Sequence, residues 1–237
     1  MQPQVETRSQ QRAAYEFIMA QSKRLGLQNV LAYPGYLRSE ALLGIGQSID
    51  FDILANQTQN GQAIGGTENR LQQNDAFYVS SMAVMLYTVA AAGGAGTAAT
   101  QAARAAARLQ QFPNTTVFTT NAPAAVGFFN GKLTIKQNEK IFCRDHDLYS
   151  LQYADTAQQG QLVFTASNVD QNAFDYSKAF QNVLDPMFRL NGQSNIEANI
   201  QLPAQLDFTT VTDVSVYAVL YLKGWRAQNG GLARAAR

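Results

Sequence analysis

Glu68-Asn69-Arg70-Leu71-Gln72-Gln73-Asn74-Asp75-Ala76-Phe77-Tyr78-Val79-Ser80-Ser81-Met82-Ala83-Val84-Met85-Leu86-Tyr87-Thr88-Val89-Ala90 decides how the rest of the chain is read. A polar turn rich in Asn and Asp runs without a break into a segment dominated by aromatic and β-branched residues. These fall on both parities of an alternating pattern, which predicts a strand buried on both faces. At about 3.3 Å per residue the run is long for one straight strand, so a bend is expected near Ser80-Ser81. A membrane span needs roughly 20 apolar residues; this run starts at Asp75, is interrupted by two serines and fades into Ala and Gly. A buried helix is disfavoured by its Val, Thr and Tyr.

The 237 residues are enough for one large β domain or two small ones. Apolar residues make up 46% and charged ones only 15%, so the polar surface must come from Gln, Asn, Ser and Thr. Neutral amides repel copies of themselves weakly, which suits a protein that packs against identical neighbours. The net charge of +1 gives no general argument for nucleic-acid binding. A single cysteine, Cys143, excludes an intrachain disulfide and a cysteine-rich zinc site, and a single histidine excludes a His-rich metal cage. The N-terminus carries no continuous apolar core after its basic residues, so no secretory signal is read and synthesis in a cytoplasm is expected.

Residues 1–6 are polar. Thr7-Arg8-Ser9-Gln10 fits a capping box, and a helix is expected from there to Leu25, with Ala14, Phe17, Ile18 and Leu25 near one face and Gly26 as its stop. Arg8, Arg12, Lys23 and Arg24 make it basic. It either packs its stripe on the body of the protein or meets a membrane surface or a neighbouring subunit. Tyr33-Pro34-Gly35-Tyr36 reads as a turn and Ala41 to Ile45 as a short apolar run. Ser48 to Leu54 alternates, placing Ile49, Phe51 and Ile53 toward a core and Asp50 and Asp52 toward water. A polar loop spans Asn56 to Glu68. Thr97 to Gln111, with Arg104 and Arg108 one helical turn apart, is an Ala-rich helix with little to bury, expected on the surface.

Thr115 to Thr119 is a short β-rich run, and Pro123 opens a short helix over Ala124 to Phe129, closed by Asn130-Gly131. Lys132 to Gln137, with Leu133 and Ile135 inward, turns at Asn138-Glu139 and returns over Lys140 to Cys143 as a hairpin. Further strands are expected at Leu148 to Tyr153, Gln161 to Ala166, Ile196 to Leu202, Leu206 to Val211 and Val214 to Leu222. Asn172 to Leu190 reads as an aromatic-rich connection. Many short strands with polar turns point to a mainly β protein of antiparallel sandwiches or barrels.

The chemistry-bearing residues are sparse. Cys143 and His146 lie three apart in Cys143-Arg144-Asp145-His146, whereas nucleophile and base normally meet through the fold, so His146 reads as structural. Asp50 and Asp52 share a strand face and read as solvated rather than cation-binding. Glu68, Arg70 and Asp75 suggest an Arg–carboxylate pair fixing the turn. Gly93 to Thr100 lacks the spacing and the Lys of a phosphate loop. Trp225 between Lys223 and Arg226 reads as an anchor at a strand end rather than a base-stacking platform. No catalytic, cofactor or metal residue is assigned, and no enzyme activity is expected.

Thr67 to Val79, and later Asn130-Gly131-Lys132-Leu133-Thr134-Ile135-Lys136, resemble virion proteins of tailless icosahedral bacteriophages, above all major capsid proteins of the corticovirus and Flavobacterium-phage kind. The resemblance covers about residues 30 to 225. It implies antiparallel jelly-roll sandwiches forming a compact double jelly roll, with a single jelly roll carrying large insertions as the alternative. On this reading residues 1–26 are an amphipathic helix or arm, 27–155 a first sandwich, 156–229 a second, and 230–237 a disordered tail. The resemblance further implies a homotrimeric capsomer in a virion shell. Its expected partners are copies of itself, other virion proteins and an internal membrane met by the N-terminal helix; no specific nucleic acid is expected. At least one of the loops Gln57 to Gly66, Gly93 to Gln111 and Asn172 to Leu190 is expected at the subunit interface. The rival class is a carbohydrate- or protein-binding sandwich, and a hydrolase on a jelly-roll scaffold comes third.

Overall fold

Ala76–Ala90 forms one strand, and the alternation of its side chains changes step at the two serines. The computed structural model describes residues 8–27, 29–55, 66–93, 97–107, 109–112, 118, 121–152, 183–210 and 213–231. Within them run strands β1 (Leu31–Leu43), β2 (Ile45–Phe51), β3 (Ala76–Ala90), β4 (Lys132–Gln137), β5 (Lys140–Asp147), β6 (Val183–Asn191), β7 (Ile196–Asp207) and β8 (Val214–Gln228). Helices are α1 (Arg8–Arg24), α2 (Gln101–Ala106) and α3 (Ala122–Phe129). The strands make two four-stranded antiparallel sheets, ordered β1-β8-β3-β6 and β2-β7-β4-β5. Leu37, Phe77 and Leu220 from the first sheet share one core with Ile49, Leu133 and Ile200 from the second, so the protein is a mainly β sandwich with few helices.

Strand β3 is buried on both faces, as its sequence predicts. A register shift between Val79 and Ser81 accounts for the apolar residues on both parities. Phe77 and Val79 point into the core before the bulge, and Met82, Val84 and Leu86 after it. The outer face is covered twice. Ala76 and Tyr78 pack with Trp225 and Ile18 of α1. Ala83, Met85 and Tyr87 pack with Leu109, Tyr217 and Val219.

Strands from residues 27–155 and from 156–229 mix within both sheets: β8 lies between β1 and β3, and β7 between β2 and β4. The described strands therefore do not sort into one sandwich per half. Connections leaving odd-numbered strands gather at one end, where Phe208 N–H donates to Gly44 O, Ala91 N–H to Asp213 O and Leu148 N–H to Gly131 O. The opposite end is tied by Asn138 N–H to Asn195 O, Gly192 N–H to Asp75 O and Gly231 N–H to Asn74 O.

Several local readings are corrected. Tyr33-Pro34-Gly35-Tyr36 is not a turn but part of β1, which pairs with β8 throughout. Arg38 and Glu40 turn their N–H groups away from β8, toward Asn69 O and Glu68 Oε1. Pro34 shares that parity on an edge strand, so its missing N–H removes no ladder bond. Leu148–Leu151 is a 3-10 turn rather than a strand, capped by Asp147, whose Oδ1 accepts from Tyr149 N–H at 3.0 Å. Residues 183–190, expected within a connection, belong to β6. Strand β7 runs on through Pro203 to Asp207, with a register shift opposite Gly46 and Ser48 where Gln47 Nε2 donates to Leu202 O. The β4–β5 hairpin and the proline-led α3 form where expected. The capping residue Thr7, Gln161 to Ala166 and the final residues 232–237 lie outside the described residues, as does Thr115 to Thr119 apart from the buried Phe118.

Candidate functional site

The residues singled out for chemistry are dispersed into structural work. Cys143 Sγ lies 3.7 Å from Leu133 O, and burial pushes its thiol up, away from the nucleophilic thiolate. His146 shares a 3.2 Å hydrogen bond with Ser150 Oγ beside the 3-10 turn. Asp50 Oδ1 accepts from Asn199 Nδ2 at 2.6 Å, across to β7. Asp52 is less wet than its alternation predicts, lying 3.6 Å from Arg70 Nη1. Trp225 is buried under α1, as an anchor should be. Among the described residues no cluster of His, Cys, Asp or Glu has metal-binding geometry.

The Glu68–Asp75 turn is fixed by ion pairs, as its composition suggests, and it also closes one side of the sandwich. Arg70 Nη2 binds Glu68 Oε1 at 2.9 Å. Asn69 exchanges both backbone bonds with Arg38 of β1, while Leu71 N–H donates to Ile53 O and Leu71 O accepts from Ala55 N–H. Arg226 Nη2 donates to Asn69 Oδ1 at 3.0 Å, and its Nη1 lies 3.8 Å from Asp75. The turn thus blocks the β1 edge, which unpaired would template other chains.

A second polar centre escaped the sequence reading. Glu40, with a fully buried side chain, projects from β1 onto the outer face of its sheet. Its Oε2 accepts from Tyr87 O–H at 2.6 Å and from Arg104 Nε at 3.0 Å, and its Oε1 lies 2.6 Å from Arg38 Nη2. Arg104 stacks on the Tyr217 ring, which lies parallel to Tyr87 at 5.0 Å. The Ala-rich segment is therefore no free surface helix. Among its described residues only Gln101–Ala106 is helical, Thr100 caps it, and Arg104 is buried. Leu109 joins the Tyr87 cluster and Gln110 exchanges backbone bonds with Leu86. A lone Glu in Ser39-Glu40-Ala41-Leu42-Leu43 was the available signal, since a carboxylate there must be paired. Arg108 lies outside the described residues.

The other side of the sandwich, between edge strands β5 and β6, is spanned by the stacked rings of Phe142 and Phe188 at 5.1 Å. A groove of about 810 Å³ opens there against α1. Its apolar floor includes Met82, Phe142, Met187 and Phe188, and Phe17 of α1 and Leu25 just past its end flank it. The expected α1 stripe thus divides: Ile18 and Ala14 pack on the sheet, while Phe17 and Leu25 stay exposed beside the groove. Lys140, Arg144 and Arg189 stand along it, and no described Asp or Glu lines it. Spacing gave no sign of this site, because its residues come from α1, β3, β5 and β6.

No protein-family model and no curated protein matches the chain.

Proposed function

We propose that this protein is a structural shell subunit, the major capsid protein of a tailless icosahedral phage. In this reading it is made in the host cytoplasm, assembles as a homotrimer and resides in the virion. The observation that carries the reading is the pairing β1·β8, β2·β7, β3·β6 and β4·β5. In this reading they are the pairs of one long hairpin wound around itself, which supports an eight-stranded jelly roll, a fold used in viral capsid and lectin domains. One roll accounts for all the described strands, which favours the single jelly roll with large insertions over the double one. The resemblance of Thr67 to Val79 and Asn130 to Lys136 to phage virion proteins supports the same conclusion.

In this reading the β1 edge takes no part in joining subunits, because it is capped by Asn69 and carries Pro34. The exposed Lys23 and Arg24 of α1 are the groups that would face other virion proteins or an internal membrane. No described helix is long and apolar enough to cross a membrane. The open groove favours a rival, a protein-binding sandwich module. The two readings part on particle size: a shell protein sediments as trimers and large closed particles, a binding module as a small discrete species.

A further inference from the structure

We propose that the groove between α1 and the β5/β6 side receives the loop-bearing end of a second copy of this chain, joining subunits end to side. This rests on the shell reading and names its contact. The groove pairs an apolar floor with the cations Lys140, Arg144 and Arg189. Lys140 and Arg144 are exposed, and no described carboxylate lies within ion-pair distance of either. The end of the sandwich where odd-numbered strands terminate has the opposite character. Ile45, Val126 and Tyr149 are 60%, 45% and 67% exposed there. Asp147, Asp207 and Asp213 stand exposed at the same end. Lys132, opposite Asp147 in the β4–β5 register, is the cation described among them.

These residues form one surface because Ile45 and Asp207 are register partners and Leu148 N–H donates to Gly131 O at the close of α3. Thr210 Oγ1 also donates to Asn121 Oδ1 at the start of α3. Hydrogen bonds from Thr209 hold Asp207 below its ordinary pKa, so it stays ionised. One copy's acidic, apolar end thus complements another's cationic, apolar groove. Two different surfaces meet, so like charges are not forced together, and such a head-to-tail contact closes into a ring when its rotation allows.

The test is sedimentation velocity on the full chain. Lys140→Glu with Arg144→Glu is expected to convert the wild-type oligomer to monomer, and Asp147→Lys with Asp207→Lys to do the same. A chain carrying all four substitutions is expected to associate again. Circular dichroism checks each fold, since Asp147 and Asp207 also hold their own loops. Tyr149→Ala, harmless to the fold at its exposure, is expected to weaken association about tenfold. Association unchanged in the groove variant or in Tyr149→Ala overturns the proposal, as does failure of the folded four-substitution chain to reassociate. A monomeric wild type overturns the shell reading as well, whereas an oligomer indifferent to these substitutions overturns the contact alone.

Discussion

Glu40 in β1 and Arg104 in α2 form a buried ion pair, with Arg104 Nη2 2.5 Å from Glu40 Oε2. It fixes a helix that has no large apolar residue to bury. Removing one member of a buried pair strands the other in a low-dielectric site, at a cost of about 3–5 kcal/mol. Arg38 and Tyr87 would still serve Glu40, so Arg104→Ala should fall at the low end of that range. Glu40→Met combined with Arg104→Met should cost less than either single change. Urea unfolding of the three variants checks this, and simple additivity would contradict it.

The same site sets an acid limit. Burial works to raise the Glu40 pKa, but Tyr87, Arg38 and Arg104 together hold it below the ordinary value. A folded-state pKa below the unfolded one contributes stability that is present above about pH 4.3 and lost as pH falls through the folded value. Asp52 has the opposite sign: burial, with Glu68 and Asp50 nearby, raises it despite Arg70. Its ionisation therefore costs stability at neutral pH. Glu40→Gln should flatten the acid loss, and Asp52→Asn should be neutral or mildly stabilising at pH 7, both measured by denaturation against pH.

Gly224 lies under the bulge of β3, where a Cβ would come 1.9 Å from Tyr78 O. That oxygen belongs to backbone paired on both sides, so it has little room to yield. Gly224→Ala should cost about 3 kcal/mol or more, the range of overpacked core sites. Gly35→Ala, across the β1–β8 ladder with no contact closer than 3.8 Å, is the control and should change little.

Helix α1 belongs to the folded body. Ile18 is fully buried and packs in one cluster with Trp225, the chain's single tryptophan. Ile18→Ala should cost about 2–4 kcal/mol. Deleting residues 1–25 should uncover Tyr78 and Trp225 and shift Trp225 emission to longer wavelength. Unchanged emission and stability would return α1 to the status of a detachable arm.

The strands that bury one face were legible because alternation marks them, as in Ile49, Phe51, Leu133 and Ile135. The doubly buried β3 was legible as well, and its serines marked the bulge. Pro34, Pro186 and Pro203 hid β1, β6 and the length of β7, since a proline reads as a break until the strand's edge position or a register shift is known. Glu40–Arg104 and the groove were hidden for another reason: each joins residues distant in sequence, and although the lone Glu40 signalled a need for a partner, nothing local named Arg104. The order of strands, which carries the functional reading, is a property of pairing and leaves no local signature.

The most direct test of the shell reading is electron microscopy of the purified full chain, with sedimentation across salt concentrations on the same sample. The expected result is a homotrimer that converts to closed particles of uniform diameter. A monomer at high protein concentration, with no particles under any salt condition, would contradict it.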